Sequence, residues 1–290
     1  GLLLFLTLSS SLYAQLDSLT RNLEQANSLE EQADAYHQLS TYFEQDSPDT
    51  SLYLAEAAYS ISQRADYDRG KAQAFRNMAA YYSHSKNFNF DSLDYYLKRS
   101  TDLYQRNADS LGMAQTYYQL SFSCYLSDHY PIAVEYCEDA VDIYRAANER
   151  LMLGQSLSLL CEIQNYTGNN KLASEYCYDA IEIFDELNAE NLKPALYNTI
   201  GSINYDIKNY DLARENFLLA IELSKRLGLE YPLSDAYLSM GEVLRDTEEY
   251  ESALDYFKQS LNIDRANDDD EGVSYAFLNI GTTFVLQGEN

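Results

Sequence analysis

Apolar and small side chains recur along this chain at spacings of three and four, the period of a helix face, and short polar turns such as "KNYD" and "TEEY" interrupt them. The interrupted stretches are copies of one another. Each copy starts from a large residue, at Tyr36, Phe75, Tyr117, Leu157, Tyr197, Tyr237 and Phe277. Three residues on comes an apolar column: Leu39, Met78, Leu120, Leu160, Ile200, Met240 and Ile280. A small column follows directly, at Ser40, Ala79, Ser121, Cys161, Gly201, Gly241 and Gly281. The last five copies are spaced by 40 residues.

A second helix is predicted about a dozen residues after each small column. Its own small positions are Ser51, Ser92, Ala133, Ala173, Ala213 and Ala253. Four residues further come Ala55, Tyr96, Cys137, Cys177, Phe217 and Phe257, and three beyond those Ala58, Arg99, Ala140, Ala180, Ala220 and Ser260. Arg99 is the one residue that does not fit. Antiparallel helices approach closely only where a small side chain on one meets a large one on the other. Each copy therefore reads as a helix pair, and the fold class as all-α. Residues 29–290 hold six full pairs and the first helix of a seventh. Residues 15–28, with Leu16, Leu19 and Leu23 on one face, read as an N-terminal capping helix.

Composition agrees. Hydrophobic residues make up 46% of the chain, enough for a substantial core, while four Pro and 11 Gly leave little turn chemistry for a β fold. The 28 Tyr, with no Trp, suit half-buried helix faces and binding surfaces alike.

The columns resemble the tetratricopeptide repeat, in a form of about forty residues. The resemblance covers residues 29–290 and is strongest in "YNTIG…NYDLARENFLLAI" and "YLSMG…EYESALDYFKQSL". It implies a right-handed α-solenoid whose first helices line a concave groove. Groove positions then include His37, Arg76, Tyr118, Ser158, Asn198, Leu238 and Leu278, with Thr41, Ala80, Phe122, Glu162, Ser202, Glu242 and Thr282 one turn on, and Tyr125, Asn165, Tyr205 and Arg245 beyond. In chaperone-binding members of the family, basic residues here clamp a peptide's carboxylates. This row lacks that set, so the specificity does not carry over. What it offers is an aromatic cluster, Tyr118, Phe122 and Tyr125, flanked by Arg76, Asn198 and Tyr205, and a protein or peptide is the partner such anchors suit.

No catalytic constellation stands out, and no cofactor or metal is expected. His37, His84 and His129 are not at metal-ligand spacing, and no Gly-rich phosphate loop or nucleophile elbow occurs. In "NDDDEG" the alternation from Asn267 resembles part of an EF-hand loop, but the twelfth position is Leu278 rather than a bidentate Glu. Acid at the start of a helix is the simpler account. Cys161 and Cys177 fall opposite each other within the fourth repeat, as core thiols or, in an oxidising compartment, as a disulfide. Cys124 and Cys137 are about a turn out of register.

Net charge is −26, from 20 basic and 46 acidic residues. Nucleic-acid backbones and anionic lipid surfaces repel such a chain. The start, "GLLLFLTLSSSLYAQ", has the apolar run and small residues of a signal-peptide remnant over residues 1–14, cleaved after Ala14. Residues 15–290 contain no stretch that would span a membrane. The expected setting is periplasmic or extracellular. Phe277, Ile280 and Phe284 would pack on a second helix after "VLQGEN", so the array is expected to continue past Asn290. The expected function is a non-catalytic interaction scaffold, resembling the exported sensor region of a longer signalling protein. Alternatives are a free-standing periplasmic assembly scaffold and an accessory domain of an enzyme lying beyond residue 290.

Overall fold

In the computed structural model, which describes residues 15–44, 47–83 and 87–288, each of the first six sequence copies is a pair of antiparallel helices. A leading helix, α1, covers residues 15–25 and half-buries Leu16, Leu19 and Leu23. The pairs that follow are α2 (Leu29–Tyr42) with α3 (Pro48–Ala65), α4 (Asp68–Ser83) with α5 (Phe90–Arg106), and α6 (Ser110–Leu126) with α7 (Tyr130–Ala147). Then come α8 (Arg150–Tyr166) with α9 (Asn170–Glu186), α10 (Lys193–Asp206) with α11 (Tyr210–Leu227), and α12 (Glu230–Asp246) with α13 (Tyr250–Ala266). Helix α14 (Asp270–Gln287) is the seventh first helix. The fold is an all-α helical-repeat solenoid, without a strand among the described residues. Contacts divide it into two units, the first ending at Asn148 and the second starting at Glu149. The expected signal remnant, His84 and Asn290 lie outside the described residues.

Backbone makes the turns, at a fixed interval. Asp66 is left-handed, and from Ala108 on such residues stand at Ala108, Asp128, Asn148, Gly168, Asn188, Lys208, Gly228, Glu248, Asp268 and Gly288, each 20 positions after the last. After most of these turns the next residue closes the helix before it, as in His129 N–H to Cys124 O at 2.8 Å and Glu249 N–H to Leu244 O at 2.8 Å. Several helix starts are capped by side chains. Ser28 and Glu31 form a reciprocal capping box, and Asn89, Asp109 and Asp269 accept from Ser92, Gly112 and Gly272 N–H.

Within each pair, one position on the first helix shares its space with one on the second. A Cβ built on Gly201 would fall inside contact distance of the Phe217 ring, and one on Gly241 would strike Phe257. Equivalent positions hold Ala79 with Leu97, Ser121 with Cys137, and Cys161 with Cys177, all buried. Where one partner grows, the other shrinks. Tyrosines fill the flank of this seam. Tyr117 lies against Tyr136 and Tyr237 against Tyr256, each with ring centroids 5.7 Å apart, which accounts for part of the high Tyr content.

The second pair departs from expectation. Its buried second-helix residues are Leu93, Leu97, Ser100 and Tyr104, whereas Ser92 and Tyr96 are half-buried and Arg99 is exposed. The extra residue near "NFNF" shifts α5 by one position, so Leu93, Leu97 and Ser100 stand 40 residues before Ala133, Cys137 and Ala140. Ser100 then takes the small site and donates to Ala72 O at 2.8 Å. Arg99 is a surface residue, over the Phe75 and Tyr95 rings.

A polar inclusion sits where α12, α13 and α14 meet. Asp264 is only 4% exposed and accepts from Ser234 and Ser260 hydroxyls, and Gly272 leaves room for its carboxylate. Burial raises the neighbouring Asp235 to about 6 from its ordinary 3.8, with Asp264 and Asp269 adding repulsion. The folded chain therefore holds this proton more tightly than the unfolded chain does. The contribution to stability is complete below about pH 4 and is lost as pH climbs through about 6. Asp235 itself is exposed, so solvent screening trims the effect: urea unfolding from pH 4 to 7 should show Asp235→Asn gaining on the parent as pH rises, by less than about 1 kcal/mol at neutrality.

Candidate binding surfaces

The described residues contain no group of three His, Cys, Asp or Glu placed to hold a metal ion, and none of their helices is long and apolar enough to cross a membrane. Acid in "NDDDEG" has a local role, since Asp269 caps α14. His129 is exposed and stacks on Phe90 at 5.3 Å.

On the first-helix face of the first unit, Arg76 is already engaged. Its guanidinium donates to Gln115 Oε1 at 2.7 Å and to His37 Nε2 at 3.2 Å. Arginine can only donate, so His37 Nε2 accepts and its proton lies on Nδ1, which is buried without a partner. Burial first, then Arg76 and Arg69, lowers His37 to about 3, so the imidazole is neutral. Asn77 adds a bond to His37 O at 3.2 Å. His37, Arg76 and Gln115 thus run as a ladder across α2, α4 and α6. Beside it a cleft of about 600 Å³ opens between His37, Thr41, Tyr42, Arg76 and the α1 residues Gln15 and Leu19. Sequence reasoning missed Gln115 and the α1 wall. The 39-residue spacing of Arg76 from both His37 and Gln115 was the available signal.

On α6 of the same unit, Tyr118, Phe122 and Tyr125 share one helix face. Tyr118 and Tyr125 are half-buried, while Phe122 is 43% exposed, its centroid 6.4 Å from that of Tyr125. The flanking residues Asn198 and Tyr205 belong to the second unit. There, Tyr205 donates to Asp246 at 2.6 Å, and burial, then Asp246, holds its phenol above the ordinary range. Asn198 and Asn165 each keep a buried amide oxygen without a partner. Burial raises the Glu242 carboxyl, and Arg245 bonds Asn279. On this face Tyr205 and the Arg245 guanidinium are both tied to neighbouring side chains, whereas Phe122 in the first unit stands exposed.

Cys161 and Cys177 are joined as a disulfide with Cα atoms 5.2 Å apart. Cys124 and Cys137 are buried thiols, and burial, then Asp94, pushes Cys124 up to about 11, which leaves it unreactive.

Residues 193–266, the α10–α13 stretch, match the tetratricopeptide repeat family. No curated protein matches the chain in sequence. Among solved structures, BtubC (BKLC) from P. vanneervenii is similar at 17% identity and a TM-score of 0.66, over 77% of this chain and 92% of that one. Aspartyl phosphate phosphatase F from Bacillus subtilis is similar at 17% identity and 0.62, over 91% and 73%. A Rap protein complexed with competence and sporulation factor is similar at 16% identity and 0.62, over 92% and 78%. These likenesses concern the fold.

Proposed function

We propose that this chain of tetratricopeptide repeats is a non-catalytic platform that captures a protein or peptide partner on its first-helix face. One observation carries the reading. Ring pairs such as Tyr117–Tyr136 line the seams, yet Phe122 stands exposed between two half-buried tyrosines of its own helix. Aromatic anchors of this kind concentrate binding energy. The likeness to a Rap protein that is complexed with competence and sporulation factor supports the same use of stacked helix pairs.

Export is part of the proposal. It rests on the apolar run Leu2–Leu8 that leads to Ala14, and on a cysteine pair placed for a disulfide. In this reading the chain is the sensor region of a longer signalling protein, working on the periplasmic or extracellular side.

The test uses peptides selected from a library on the parent chain. Tyr118→Ala with Phe122→Ala should weaken their binding by about thirtyfold, or ~2 kcal/mol, with unchanged helicity by circular dichroism. Undiminished affinity in that variant removes the aromatic row as the capture site.

A further inference from the structure

A second cleft, of about 390 Å³, opens in the first unit between the second helices α3 and α5 and the start of α4. Its floor is apolar, made by Tyr59, Phe75 and Leu103, with the Tyr59 and Phe75 centroids 4.8 Å apart. Its rim is cationic. Arg99 and Arg106 lie seven residues apart, two turns along the same face of α5 and about 10 Å apart along the axis. Arg99 bonds only the Tyr95 hydroxyl, at 3.0 Å, and Arg106 has no hydrogen bond or ion pair among the described residues. Two carboxylates also line the cleft. Asp68 is engaged by Lys71 at 2.7 Å, and Asp102 stands between the two arginines on α5.

This basic rim is unusual for the chain. Acidic residues outnumber basic ones 46 to 20 overall, yet residues 59–106 carry eight Lys and Arg against five Asp and Glu. Nor does the fold require it. With α5 in its observed register, the third and fourth pairs hold Asp139 and Asp179 where the second holds Arg99. A guanidinium held only by a tyrosine hydroxyl and by the Phe75 and Tyr95 ring faces, with a second one without a bond two turns away, is suited to carboxylates borne on a chain that also carries apolar side chains.

We propose that this cleft docks an acidic peptide segment of a partner protein, with carboxylates on Arg99 and Arg106 and an apolar side chain on the floor between them. The site is separate from the first-helix row and stands or falls independently of it. The probe is a fluorescein-labelled heptapeptide of alternating Glu and Leu, titrated into the full chain and followed by anisotropy. Binding is expected, and Arg99→Asp with Arg106→Glu should weaken it by about tenfold or more. Arg106→Glu alone, at an exposed position, should give part of that loss without touching the fold. Tyr118→Ala with Phe122→Ala should leave it unchanged, and a Gln-for-Glu peptide should not bind. No binding to the parent, or equal binding to the arginine variants, overturns the proposal. So does equally tight binding of citrate, which would make the cleft a trap for small anions only.

Discussion

Gly201→Ala lowers the unfolding free energy by about 1–3 kcal/mol, and adding Phe217→Leu restores most of the loss. A methyl on Gly201 has nowhere to go, because the Phe217 ring occupies its place and is itself fully buried. Phe217→Leu alone leaves a void and costs about 1–2 kcal/mol. Together the two substitutions recreate the Ala79 and Leu97 combination that the second pair uses at the same place. A double-mutant cycle by urea denaturation measures the coupling. If the two losses simply add, the seam is not a shared volume. Gly281→Ala is the control, since nothing lies within 4 Å of a Cβ there. That change gains about 0.5–1 kcal/mol from helix propensity alone.

Reducing the Cys161–Cys177 disulfide should cost about 3 kcal/mol, the chain-entropy value for a loop of roughly this length. The link closes the α8–α9 hairpin inside the second unit, and both sulfurs are buried. Urea unfolding with and without reductant reads the difference, which should vanish in a Cys161→Ala, Cys177→Ala chain and persist when Cys124 and Cys137 are replaced. An identical midpoint in both conditions means that the native protein carries two thiols. Under the proposed export, mass spectrometry of the mature chain should show Gln15 as its first residue.

The helix pairs were legible because packing demands a size at each seam position. Gly201, Gly241 and Ala213 announce close approach whatever surrounds them, and their columns are right. The slip came in α5, where one inserted residue moved the buried set from Ser92 and Tyr96 to Leu93 and Leu97. Arg99 was the visible symptom, a cation placed where no cation can be buried unpaired. The turns escaped for a different reason. Ala108, Lys208, Glu248 and Asn188 share a left-handed backbone but no side-chain chemistry, so residue type could not mark them. For the proposed binding face, sequence placed Tyr118, Phe122 and Tyr125 on one helix and Arg76 on the same kind of face. It could not show that Arg76 is held by His37 and Gln115, because those bonds depend on rotamers of neighbouring pairs.

The regular turns make the helices behave like words joined by one common hyphen. The joints from Ala108 to Asp268 each turn on one left-handed residue, with a 3-10 turn added after Asn188, so a segment cut at one joint can be rejoined at another with the same kind of turn. What limits such splicing is spelling across the seam. A second helix that carries Phe can follow only a first helix that carries Gly, and one that carries Leu needs Ala. Rearranged arrays of this protein should therefore tolerate free choice of joint and fail wherever two large letters are set face to face.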